Sequence, residues 1–173
     1  MPLLRPFRDY NEKDVINLFA FSGTLPATKG TLVKIQAGFK ATDEISMLGN
    51  VGQSYPNTVS ERYGVAAQVA VAGTGDSALG MLLFDVRETD ENGELLKFNP
   101  RKAAEMGAVI SGQAVPIVTR GIFRYSGAAG TPTAGGTAYN GANGVISATG
   151  TQVVGKFLGA ADADGFVTVK LSL

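Results

Sequence analysis

The chain has 173 residues, 15 basic and 15 acidic side chains, and neither His nor Cys. A formal charge of zero supplies no general attraction to nucleic acid or to an anionic membrane. Without Cys there is no disulfide framework, and without His there is neither a Ser–His–Asp triad nor the commonest transition-metal ligand. Only 17% of residues are charged while Gly reaches 23, which reads as a β-rich chain with many turns and flat, lightly charged contact surfaces. The length suits one domain, able to bury roughly 70% of its unfolded surface without a disulfide or metal.

Residues 1–13 read as an extended N-terminal arm, either packed on its own domain or added to a neighbouring subunit, because Pro2 and Pro6 hold their neighbours out of helix. Its apolar residues are interrupted by Pro2, Arg5, Pro6 and Arg8, so no signal peptide is expected, and no run of about 20 apolar residues is present to span a membrane. Residues 14–173 are expected to form a single β-rich domain. Val15–Phe21 and Thr31–Phe39 are its first two strands, and Asp43–Leu48 is a short third candidate before a turn-rich connection through Gly49, Gly52, Pro56 and Asn57.

The centre of the chain is Arg62–Glu88, where the apolar runs Val65–Ala72 and Leu79–Val86 flank GTGDSA. Ala-rich segments also suit a buried helix, but Gly64, Gly73, Gly75 and Gly80 favour strand–loop–strand. An excursion follows at about residues 89–111. It contains an Asn-Gly turn at Asn92-Gly93, a return over Glu94–Phe98 as strand or irregular chain, and a short helix Pro100–Met106 capped by Asn99 and ended by Gly107. Gln113–Tyr125 reads as a strand with two irregularities, Pro116 marking an edge or bulge and Gly121 a bend. Residues 125–155 carry no charge, and about 126–151 are expected to be an uncharged loop, either a flexible linker or a segment lying on another protein. Gln152–Leu158 and Phe166–Leu171, whose VTVKL alternates strictly, form a closing hairpin. The sum is a small antiparallel β-barrel or sandwich with one short helix.

None of the chemical motifs holds up. Gly75-Asp76-Ser77 lacks the His base that a GDS-type esterase uses. Asp162-x-Asp164-Gly165 begins like a calcium loop, but Phe166 starts a strand where further ligands belong. Asp85, Glu88, Asp90, Glu91 and Glu94 read as a solvated acidic turn. Gly73-x-Gly75 lacks the third glycine and the helix of a dinucleotide fingerprint. Phe123, Tyr125, Phe157 and Phe166 lie near Arg120, Arg124 and Lys156 as in an oligonucleotide-binding barrel, yet aromatics on strands are more often core. Neither a catalytic residue nor a metal or cofactor site is expected.

GTLVKIQAGF, YGVAAQVAVAG, GQAVPIVTRGIF and the closing VVGKFLGAADADGFVTVKL, spread over most of residues 14–173, resemble the capsid decoration, or cement, proteins of tailed bacteriophages with a β-barrel or β-tulip body. The chain departs from the smallest members in its Asp90–Met106 insertion and its long uncharged stretch. The resemblance implies a structural virion protein, not an enzyme. Such a protein binds the outer surface of the phage head, cements major capsid protein subunits against the pressure of packaged DNA, and associates with itself, a trimer being expected ahead of a dimer. It implies no nucleic-acid or membrane partner. Leu3, Leu4, Arg5, Phe7, Arg8 and Tyr10 of the arm are the expected capsid or subunit contacts, acting by strand addition. Thr131, Pro132, Tyr139 and Asn140 of the loop are a second set. A head-fibre base or tail protein, and an oligonucleotide- or sugar-binding barrel, are the alternatives.

Overall fold

The computed structural model describes residues 3–6, 10–38 and 67–173. The expected strand Asp43–Leu48, the connection after it, Phe39, and Arg62–Ala66 of the central stretch lie outside the described residues. The protein is mainly β, with a closed five-stranded barrel and, among the described residues, one short helix.

The barrel is built from β2 (Val15–Phe21), β3 (Leu32–Ala37), β4 (Gln68–Val71), β5 (Gly80–Leu82) and β8 (Ala114–Val118), closed in the order β2-β4-β3-β5-β8. Four of its five joints are antiparallel, as expected, but β2 and β4 run parallel. Topology requires this. The antiparallel strands β2 and β3 are consecutive among the described elements, and β4, inserted between them, must run parallel to one of the two. The two runs of the central stretch therefore never pair with each other, because β3 lies between β4 and β5. The second run is itself broken. Leu83 and Phe84 separate β5 from β6 (Asp85–Arg87), which pairs in parallel with β7 (Ala108–Ile110) at the base of the excursion.

The second body is a six-stranded sheet of order β1-β9-β13-β12-β10-β11. It comprises β1 (Leu3–Pro6), β9 (Arg120–Ser126), β10 (Thr137–Asn140), β11 (Ile146–Ser147), β12 (Val153–Phe157) and β13 (Phe166–Ser172). The closing hairpin is β12–β13, and β13 pairs with β9 from Phe166↔Ser126 to Ser172↔Arg120. The segment read as one strand, Gln113–Tyr125, thus serves both bodies. β8 belongs to the barrel and β9 to the sheet, with Thr119 alone between them. Pro116 marks a bulge rather than an edge. β8 is paired on both sides, and the register of β2 shifts between Ile16 and Phe19, opposite Pro116, where a strand residue without an N–H is tolerated.

The two bodies share a wall. Val15, Val118, Met81 and Leu32 are successive cross-strand neighbours, and this row packs into the core of the six-stranded sheet with Leu4, Phe123, Tyr125, Phe157, Val167, Val169 and Leu171. One residue along, Val33, Leu82 and Ile117 face the other way and fill the barrel with Phe19, Phe21, Val69, Val86 and Val115. Leu32, Val33, Leu82, Ile117 and Val118 have no accessible surface and Met81 retains 1%. Each fully buried side chain of this kind contributes about 1.5–3 kcal/mol.

In the excursion, α1 (Pro100–Glu105) is capped by Asn99, whose side chain accepts from the Lys102 N–H at 3.3 Å, and Gly107 at φ 61° ends it. The return over Glu94–Phe98 is irregular, a bridge from Thr89 to Leu95 followed by the 3₁₀ turn Leu96–Phe98, with Leu96 buried.

Close approach across the shared wall depends on Gly80. A Cβ there would lie 2.5 Å from Ile117 Cγ2 and 2.6 Å from the Val118 carbonyl oxygen. Gly80→Ala is expected to cost about 1–3 kcal/mol as overpacking, whereas Gly159→Ala, with nothing within 4 Å of its Cβ, stays within about 0.5 kcal/mol of the parent. Urea unfolding of the two variants measures both.

Candidate functional site

The arm docks on its own domain as the edge strand of the six-stranded sheet, in register from Leu3↔Ser126 to Pro6↔Phe123. Leu4, 4% exposed, is part of the sheet core, and the half-buried Tyr10 stacks on Phe123 at 5.9 Å between ring centroids. These two expected contact residues are therefore used to hold the arm in place. Arg5 is exposed on the opposite face, with its guanidinium 5.5 Å from the ring centroid of Phe166. Phe7 and Arg8 lie outside the described residues. The far side of β1 has no strand partner among the described residues, so a four-residue backbone edge is presented beside Arg5.

The uncharged segment is folded, not a loop. β10 and β11 pair with each other, β10 also pairs with β12, and Ala129 bridges to Ser147. Thr131 is exposed and Tyr139 half-buried, but Pro132 is buried and Asn140 has no accessible surface. Asn140 therefore ties the sheet to the barrel instead of meeting a partner. Its Nδ2 donates to the carbonyls of Gly73 (2.7 Å) and Asp76 (3.0 Å) in the GTGDSA connector. At its buried positions the segment lies against the barrel. Gly144 at φ 69° comes so close that a Cβ would sit 2.6 Å from the Leu32 carbonyl oxygen, and its N–H donates to the Ala72 carbonyl at 2.7 Å.

One carboxylate in each suspect motif, Asp76, Asp90 and Asp162, is committed to structure. Asp76 accepts from Lys34 Nζ at 2.8 Å and from the Gly73 N–H at 2.7 Å, which hold it below the usual carboxylate range, Lys34 most strongly. The adjacent Ser77 is exposed. Asp90, 6% exposed, accepts from Lys102 and from the N–H groups of Asn92 and Glu94, and the Lys102 hydrogen bond is the main cause of its lowered pKa. Asp162 closes the hairpin turn by accepting from the Asp164 and Phe166 N–H groups. The Phe166 hydrogen bond and then Arg124 lower its pKa. Burial pushes the Tyr125 hydroxyl up to about 12, so it stays protonated at neutral pH, accepting from the Ile146 N–H at 3.2 Å.

The outward face of the six-stranded sheet is the surface with a distinct chemical character. On β13, Val167, Val169 and Leu171 point into the core, while Phe166, Thr168, Lys170 and Ser172 point out. Register places Arg5 beside Arg124, Arg124 beside Thr168, Lys170 beside Lys156 and Arg120 beside Ser172. The aromatic and basic residues grouped in the sequence separate here. Phe123, Tyr125 and Phe157 are fully buried on the inner face, and Phe166 stays with the cations, the Arg124 guanidinium 4.7 Å from its centroid. Strict alternation in RGIFRY carries this division, with Arg120, Ile122 and Arg124 on one side and Gly121, Phe123 and Tyr125 on the other.

The chain matches no protein-family model, no curated protein and no solved structure.

Two measurements check this account. Asn140→Ala takes the side-chain donor from the Asp76 carbonyl and leaves the Gly73 carbonyl only the Asp76 N–H, and is expected to cost about 1–3 kcal/mol, read by chemical denaturation. Asp76, Asp90 and Asp162 all have folded pKa values below their unfolded ones. Their stabilisation is therefore complete above the unfolded carboxyl pKa, about 3.9, and is lost as pH falls through the lower folded values. Melting temperatures are expected to drop below about pH 4, and less steeply in Asp90→Asn.

Proposed function

We propose that the chain is a structural protein that decorates the outside of a tailed-phage head and cements neighbouring major capsid subunits. The observation that carries this reading is the arm, an N-terminal strand anchored by Leu4 and Tyr10 whose outer backbone edge has no strand partner among the described residues of a double-bodied β-fold. A free edge is a ready acceptor for a strand from a neighbouring chain. Asp76, Asp90 and Asp162 are used internally, in two turns and a hairpin.

Binding only to the assembled shell stabilises that state by mass action, and many copies on one shell add their effects. On this reading, self-association, with a trimer ahead of a dimer, places copies around the local axes of the shell, and the location is the virion exterior. The oligonucleotide reading is weaker, since three of its four candidate rings, Phe123, Tyr125 and Phe157, are inside the core.

Expanded, DNA-free heads of the virus carrying the gene, mixed with the purified protein, are expected to show added density at two-fold or three-fold positions by electron cryomicroscopy. The heads should also resist higher temperature before disrupting. Empty positions at saturating protein would overturn the reading.

A further inference from the structure

The outward face of the six-stranded sheet carries five cations, Arg5, Arg120, Arg124, Lys156 and Lys170, drawn from four adjacent strands. At ordinary strand spacing and rise they span about 14 Å by about 13 Å. In a chain with no net charge this is a marked local excess. Among the described residues a single carboxylate answers it, Asp162 on Arg124. Arg5, Arg120, Lys156 and Lys170 make no salt bridge there.

Two of the cross-strand pairs on this face, Arg5–Arg124 and Lys156–Lys170, set like charges directly opposite each other. Such pairs destabilise a sheet. The like-charge pairing itself gives the fold nothing, although Arg5 and Arg124 also stack on Phe166 and Arg124 meets Asp162. Among the described residues, Lys156 and Lys170 have no such contact on this face. A surface that keeps two repelling pairs on one face is suited to a negative partner that neutralises them on contact. We propose that this face docks a carboxylate-rich protein surface, with the Arg5–Phe166–Arg124 stack at one end and the Lys156–Lys170 pair at the other.

Protein is favoured over nucleic acid by the rings. Single strands are held by free aromatic faces on which bases stack. Here Phe166 is engaged by two guanidinium groups, 5.5 and 4.7 Å from its centroid, and Phe123, Tyr125 and Phe157 face inward. Arginine forks instead match carboxylates two oxygens at a time. The inference stands apart from the cement reading, although on that reading the acidic surface belongs to the capsid.

Lys170→Glu tests it, because it turns Lys156–Lys170 into an attracting pair while reversing charge on the face. Binding is measured by fluorescence anisotropy with labelled poly-L-glutamate and, separately, with oligo(dT), at low and moderate salt. The parent is expected to bind poly-L-glutamate in a salt-dependent manner and more tightly than oligo(dT). Lys170→Glu should bind at least about tenfold more weakly, the loss expected for removing a close charge contact, with a melting temperature no lower than the parent's. Arg101→Glu, the same charge change on the exposed face of α1, should bind like the parent. Failure of the parent to bind poly-L-glutamate, tighter binding of oligo(dT), or equal losses in the two variants would each overturn the proposal. Head occupancy of the same variants separates the two readings. Heads that take up Lys170→Glu as well as the parent would sink this inference and leave the cement reading standing. Salt-dependent poly-L-glutamate binding by a parent that leaves heads bare would do the reverse.

Discussion

One strip of barrel wall, buried on both sides, holds the structure together. Leu32, Met81 and Val118 face the sheet while Val33, Leu82 and Ile117 face the barrel interior, and none keeps more than a trace of exposure. Ordinary two-layer β-proteins bury one face of each sheet and leave the other to water. Here β5 and the adjoining pairs Leu32–Val33 of β3 and Ile117–Val118 of β8 are dry on both faces, so the barrel and the six-stranded sheet each lack a complete core without the other. Gly80 follows from this, since a wall packed from both sides leaves no room for a side chain where β5 crosses β8.

The same constraint bears on the buried part of the uncharged segment. At Pro132, Ala138, Asn140, Gly144, Ile146 and Ser147 the chain is packed out of water, so a charge there would be stranded. Asn140 shows the acceptable alternative, a neutral amide whose two donors meet two connector carbonyls. The GTGDSA connector, with Asp76 drawn onto Lys34 and the Gly73 N–H, is shaped to receive it.

What was legible in the sequence follows from where alternation survives. VTVKL sits on a sheet with one wet face, and its strand is read off correctly. Leu79–Val86 and Gln113–Tyr125 were read as single strands because both faces are apolar at the shared wall, which hides the passage from one body to the other. The uncharged segment was misread for a related reason: lack of charge marks burial in the same molecule as readily as contact with another. Of the arm, Arg5 remains outward as expected, while Leu4 and Tyr10 turn inward. The basic face was the least legible feature. Its five cations come from four strands spread between positions 5 and 170, and only the strand order β1-β9-β13-β12 assembles them.

Thr119, the lone residue between β8 and β9, has a mechanical consequence. Its N–H and hydroxyl both donate to the Asp14 carbonyl, and its own carbonyl accepts from the N–H of Leu173, so chain from near both ends is fastened at the crossing. Beyond it, β9 is bonded along its full length to β13. A pull along the sheet thus enters β9 as shear shared over many hydrogen bonds at once, and passes through a pinned joint into a barrel closed on itself. The crossing has no slack loop in which a hinge could open, so a load borne by one body is delivered undiminished to the other.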